Sequence, residues 1–83
     1  MRWTLKKINH VKRQKRFYQI ATGQTLFGDY FVVREWGRVG QAGQQRLEYF
    51  QDADCAETKA LRIKNAKERR GYAPIAEQVE MTW

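Results

Sequence analysis

The apolar residues of this chain change their spacing once. Before residue 52 they fall in short runs rich in aromatic and β-branched side chains, cut by glycines. After it, Ala53, Ala56, Ala60, Ile63 and Ala66 recur every three or four residues, with Leu61 alongside. The first pattern belongs to strands and the second to one helix packed by a narrow stripe. A chain of 83 residues has room for one modest core, because a domain this small hides only roughly 60–65% of the surface exposed when unfolded. The two segments must therefore pack on each other. The expected fold is α+β, a single domain over 1–83 made of a small antiparallel β-sheet with one main α-helix packed on it.

The strands can be placed individually. Residues 16–22 read Arg-Phe-Tyr-Gln-Ile-Ala-Thr and stop at Gly23, a strand followed by a turn. Residues 30–36 follow the Gly28-Asp29 turn signal and end before Gly37, Gly40 and Gly43, and 44–51 around Leu47, Tyr49 and Phe50 make a third strand. A weaker run over 3–8 is expected as an edge strand, where its lysines discourage pairing with another molecule. The helix is expected over about 53–70. Asp54 with Glu57 resembles a capping box, Asp52 is an alternative cap, Gly71 suits the left-handed position after the last turn, and Pro74 blocks continuation. Ile75, Val79, Met81 and Trp83 alternate in the tail, which stays unassigned between a short strand and a segment draped over the core.

Composition narrows the function. With 42% hydrophobic and 13% aromatic residues and a single proline, the chain is far from a disordered composition. Its apolar runs fall short of the roughly 20 residues of a membrane span, and its first ten residues lack the apolar stretch of a secretory signal. A soluble cytoplasmic protein without membrane partners is expected, nucleoid-associated if the source is bacterial. One cysteine, Cys55, and one histidine, His10, leave no internal disulfide and too few soft ligands for zinc, so no metal or cofactor is expected; Cys55 reads as a small buried hydrophobe. No Ser-His-acid or Cys-His grouping stands out, which argues against an enzyme and against a small-molecule substrate. The formal charge of +7 points to a polyanion. Arg2, Lys6, Lys7, Lys12, Arg13, Lys15 and Arg16 precede any acidic residue, and Lys59, Arg62, Lys64, Lys67, Arg69 and Arg70 form a second cluster. The run Lys12-Arg13-Gln14-Lys15-Arg16 reads as a phosphate-contacting loop or, nearly as well, as a solvated turn.

The most informative stretch is Trp36-Gly37-Arg38-Val39-Gly40-Gln41-Ala42-Gly43-Gln44. An aromatic ring at a strand end can stack on a base or sugar, worth about 1–3 kcal/mol per base. Arg38, two residues on, shares its face and carries donors suited to phosphate, while Gly40 and Gly43 would let backbone amides approach an anion. The competing reading, a core tryptophan beside turn glycines, stands at even odds on chemistry alone. Gly37-Arg38-Val39-Gly40 also fits the GXXG loop of a KH domain, but that loop joins two helices and a strand precedes it here. The glycine spacing does not match a dinucleotide fold.

Trp36-Gly37-Arg38-Val39-Gly40, preceded by Val33-Arg34-Glu35 and followed by Gly43-Gln44 and Leu47, resembles the signature of the WGR domain family. Phe17-Tyr18-Gln19-Ile20 is similar to that family's first strand and 67–72 to its basic, aromatic helix end, so the resemblance spans about 16–72. The family occurs in DNA-dependent poly(ADP-ribose) polymerases, in bacterial regulators and as stand-alone bacterial proteins. The resemblance implies a sheet-and-helix fold and a non-catalytic, nucleic-acid-binding module for DNA ends, nicks or gaps, without base-sequence specificity. It implies that Trp36 packs on a sugar or base at a break, that Arg38 joins DNA or a neighbouring protein domain, and that Lys67 and Tyr72 lie near the broken strand's end. These 83 residues include no ADP-ribosyltransferase segment, so Arg38 is expected to be without the family's usual intramolecular partner. It is expected to contact DNA or RNA directly, or to dock a protein partner in a regulatory interaction. The candidate site is thus Trp36, Arg38, Gly40, Gln44, Lys67, Tyr72, Lys12, Arg13, Lys15 and Arg16.

Overall fold

The computed structural model describes residues 1–75. In chain order it contains β1 (Arg2–Asn9), β2 (Gln14–Gln24), β3 (Tyr30–Arg38), β4 (Gln44–Phe50), α1 (Ala53–Arg69) and β5 (Ala73–Ile75). The strands form one antiparallel sheet in the order β4-β3-β2-β1-β5, with α1 packed across one face of β2, β3 and β4. This is the expected α+β architecture. β1 to β4 form a meander because each connection is short enough to return the chain antiparallel beside itself.

The run over 3–8 is a strand but not an outer edge along its whole length, since β5 pairs with it from Thr4 to Lys6. The tail reading is therefore resolved as far as Ile75, while Val79, Met81 and Trp83 lie outside the described residues.

Buried side chains come from both layers: Leu5, Tyr18, Ile20 and Val32 from the sheet, Ala56, Ala60 and Ile63 from the helix. Trp3, Tyr30, Trp36, Phe50 and Tyr72 are partly buried around them. With two alanines at its centre, the helix lies close on the sheet and the surrounding aromatics fill the margin. Ala66, expected in the stripe, is exposed, and Lys67 is half-buried instead. The stripe drifts by one position in its last turn because 3.6 residues per turn carries the run Ala56-Ala60-Ile63 onto 67.

Asp52 caps the helix rather than the Asp54–Glu57 pair. Its Oδ1 accepts from the backbone N–H of Cys55 at 2.7 Å, and the Cys55 thiol donates to Oδ2 at 3.5 Å. The backbone N–H of Cys55 holds the Asp52 carboxyl below its usual pKa, and the Asp52 carboxylate raises that of the Cys55 thiol. Cys55 is exposed, not the buried hydrophobe expected; it occupies the third helical position, where Asp52 needs a backbone donor and the helix presents its outer side.

At the other end Tyr72 N–H donates to the Lys67 carbonyl at 3.1 Å and Gly71 N–H to that of Glu68 at 3.1 Å. This is a Schellman closure, with Gly71 at φ +98° in the left-handed region. It turns the chain back toward the sheet, delivering Tyr72 to the core margin and 73–75 to β1.

Close helix–sheet packing makes a specific demand on Ala60. Ala60→Leu, though apolar and helix-favouring, is expected to destabilise the fold by about 1–3 kcal/mol through overpacking. Ala66→Leu should stay within about 0.5 kcal/mol of the parent. Urea denaturation of both variants checks the difference.

Candidate nucleic-acid interface

Strand register arranges the helix-side face in rows. Leu5 stands opposite Tyr18, Tyr18 opposite Trp36 and Trp36 opposite Gln44. One step along, Lys7, Arg16 and Arg38 form the next row, and one step the other way come Trp3, Ile20, Arg34 and Arg46. An aromatic row is thus flanked on the same face by cationic positions on both sides.

The aromatic row is a built stack. The Tyr18 and Trp36 rings lie 5.7 Å apart at 16°, and Tyr72 meets Tyr18 edge-on at 6.1 Å and 75°. Tyr18 is buried, while Trp36 is half-buried at the margin. Trp36 is thus not a fully buried core tryptophan: it packs on Tyr18 and still reaches solvent. Lysines lie against these rings. Lys67 Nζ is 4.7 Å from the Tyr18 centroid and Lys7 Nζ 6.0 Å from that of Tyr72, within cation–π range.

Like charges crowd the flanking rows. Arg16 faces Arg38 and Arg34 faces Arg46 across strand pairs, an arrangement that destabilises a sheet. Glu48 meets both Arg34 and Arg46, but at 3.6 Å and 3.8 Å, longer than a charge-assisted hydrogen bond. The buried Nε of Arg34 has no hydrogen-bond partner among the described residues. Burial first, then the nearby Arg70 and Arg34 charges, lower the pKa of Lys67 below its usual 10.5. The protein holds these cations together against their repulsion.

The candidate residues separate by location. Trp36, Arg38, Gln44, Lys67, Tyr72 and Arg16 come together on the helix side. Lys12 and Arg13 sit in the β1–β2 turn at the same end of the sheet, with Arg13 at φ +53°. Lys15 alternates to the opposite face, and its carbonyl accepts the Val39 N–H at 2.9 Å.

Gly40, at φ +87°, is the third residue of a turn closed by Gln41 N–H to the Arg38 carbonyl at 3.1 Å, and is open to solvent. Gly43 does not face an open approach: a Cβ there would collide with the Trp36 carbonyl oxygen and come within 2.9 Å of the Phe17 ring. Its lack of a side chain serves hairpin closure beneath Trp36. Sequence reasoning counted Lys7 only within the N-terminal basic cluster and Arg34 only within the motif, and missed Arg46 and the stacking partner role of Tyr18; only the pairing register, which joins residues far apart in the chain, brings them together.

The family model described as the WGR domain matches residues 1–79. An uncharacterized protein of Sinorhizobium fredii is 28% identical over 79 residues, covering 95% of this chain. The chain spans 39% of the length of that relative. No solved structure matches it significantly.

Two outcomes test this geometry. Gly43→Ala is expected to destabilise the protein by about 1–3 kcal/mol, read by urea denaturation, because the hairpin must open to admit the methyl group. Between the lowered pKa of folded Lys67 and the usual 10.5, the unfolded chain binds more protons at this site than the folded one, so stability rises with pH across that window. Lys67→Met should remove this component of the slope in denaturation curves measured from pH 7 to 10.

Proposed function

The chain belongs to the WGR domain family, and from that premise we propose that it is a non-catalytic module that binds DNA at ends, nicks or gaps, without reading base sequence. The observation that carries this reading is the Tyr18–Trp36 row set between the cationic rows. Rings supply a stacking platform, and the cations on either side of it suit a backbone passing over the ring. Association with a polyanion would relieve the Arg16–Arg38 and Arg34–Arg46 repulsion, so part of the binding free energy is stored in the unliganded sheet.

The stack supports a preference for a break. One indole face rests on Tyr18 and the residue is only half-buried, so the proposal gives the other face, on the β4 side near Gln44, to the ligand. In an intact duplex every base face is already stacked; an end, nick or gap exposes one. In this reading Trp36 takes the exposed base or sugar, and Arg38, Arg16, Lys67, Lys12 and Arg13 contact phosphates. Tyr72 and Tyr18 hold the ring in place, and Gly40 keeps the adjoining turn low. Among the described residues the one helix carries no base-reading residues at groove spacing: α1 faces the sheet with alanines and ends at the site.

Docking of a protein through an apolar patch around Trp36 is less well supported. The large apolar residues Leu26 and Phe27 lie in the β2–β3 turn at the far end of the sheet, and Leu47 and Tyr49 alternate to the opposite face. Near Trp36, Val11 and Val39 are exposed singly among cations.

Fluorescence anisotropy against nicked duplex, intact duplex, single-stranded DNA and RNA at several salt concentrations tests the proposal. Affinity should fall steeply with salt, favour the nicked duplex and drop about 5- to 150-fold in Trp36→Ala. Arg38→Ala and Lys67→Ala should each lessen the log–log salt slope by about 0.9. Salt-insensitive binding, or equal affinity for intact and nicked duplex in parent and Trp36→Ala alike, would sink it.

A further inference from the structure

The two edges of the sheet are built differently. On one side the described part of β5 contains Pro74, and the β1 strand beside it carries Lys6 and Lys7. Proline and lysine are usual defences against edge-to-edge pairing. On the other side β4 runs seven residues, Gln-Gln-Arg-Leu-Glu-Tyr-Phe, with neither proline nor lysine. No described strand pairs with its outer edge. Leu47 is 48% exposed and Tyr49 62%.

From this asymmetry we infer that β4 is a homodimer interface, pairing antiparallel with β4 of a second copy about a two-fold axis at Leu47. Charge selects both occupant and register. With Leu47 opposite Leu47 of the second copy, Arg46 stands opposite Glu48 and Glu48 opposite Arg46, giving two cross-strand ion pairs on the helix side. Gln45 then faces Tyr49 on the open side. Identical antiparallel strands can slip only in steps that keep side chains on their own face. The neighbouring register in one direction sets Arg46 against Arg46, and in the other Glu48 against Glu48; both are repulsive.

The side chains are ready for the exchange. Arg46 is 62% exposed and meets its own Glu48 only at 3.8 Å, and the contacts of Arg34 and Arg46 to that carboxylate both use Oε1. The charge of +7 per copy opposes association, but Arg46 and Glu48 cancel within β4 and the remaining repulsion is screened beyond roughly 8 Å at physiological ionic strength. The pairing joins two five-stranded sheets into one, with both helices on the same side. The two Trp36 residues then stand six residues apart along β4 and three strand spacings across, about 25 Å. Taken with the proposed function, that makes the assembly bivalent toward nucleic acid.

Analytical ultracentrifugation of the full chain in nucleic-acid-free buffer at physiological ionic strength measures the association directly, so its result is independent of DNA binding. A concentration-dependent dimer is expected. Arg46→Lys should retain it, and Arg46→Glu, which leaves the Arg34–Glu48 contact in place, should raise the dimer dissociation constant at least about tenfold. Leu47→Lys should give a monomer whose far-UV circular dichroism and melting match the parent. In a Cys55→Ser background, oxidised Leu47→Cys should form a disulfide dimer. Gln45→Cys should not, since its two copies would lie about 13 Å apart along the strands, beyond disulfide reach. A monomer at the highest attainable concentration, or a dimer unaffected by Arg46→Glu, overturns the inference. Cross-linking of Gln45→Cys as readily as Leu47→Cys overturns the register.

Discussion

Tyr18 and Trp36 face each other across β2 and β3, and their stack ties the core of this protein to its candidate site. Tyr18 is a buried core residue; Trp36 is its neighbour at the margin. Because side chains alternate along a strand, the register that pairs these two rings also places Arg16 against Arg38 and Arg34 against Arg46 on the same face. A slip of one residue would send every one of these groups to the other side of the sheet. The aromatic contact, the small core and the crowding of cations are therefore consequences of one pairing.

That pairing leans on two features that hold no charge. Gly43 lets the β4 backbone close beneath Trp36 where a methyl group would meet the Trp36 carbonyl. At the end of α1, the Schellman closure brings Tyr72 edge-on to Tyr18 and directs 73–75 onto β1. Lys67 follows Ile63 by four positions and so turns toward the sheet, where its ammonium lies over the Tyr18 ring and shares space with Arg34 and Arg70. A helix anchored by alanines comes near enough to the strands to bring its last turn into the site.

The charge distribution works against the stability of the sheet. A core this small provides little surplus, yet the protein maintains two cross-strand arginine pairs with one loosely placed glutamate between two of them. Sheets selected for stability alone would alternate these charges. Under the proposed function such repulsion is the cost of a surface that would attract a polyanion, a reading that the WGR family membership of the chain supports.

The fold was legible from local patterns. Aromatic and β-branched runs at 16–22, 30–36 and 44–51 became β2, β3 and β4, and the three- and four-residue recurrence became α1, because strand and helix periods are properties of neighbouring residues. Gly71 and Pro74 marked the helix end for the same reason. Trp36, Arg38 and the motif glycines were visible as a string. Their surroundings were not, since a sequence cannot distinguish a fully buried tryptophan from one that packs on a neighbouring ring at the margin of the core. Arg34 and Arg46, twelve positions apart, become neighbours only through the β3–β4 ladder, and Asp52 displaced Asp54 as cap because the chain leaves β4 where only Asp52 has extended backbone. Residue identity and short-range spacing thus determined which elements form and that the protein is a basic sheet-and-helix domain. Tertiary structure alone decided which rings stack, which cations crowd and which edge no described strand covers, because these depend on register and on the approach of segments distant in the chain.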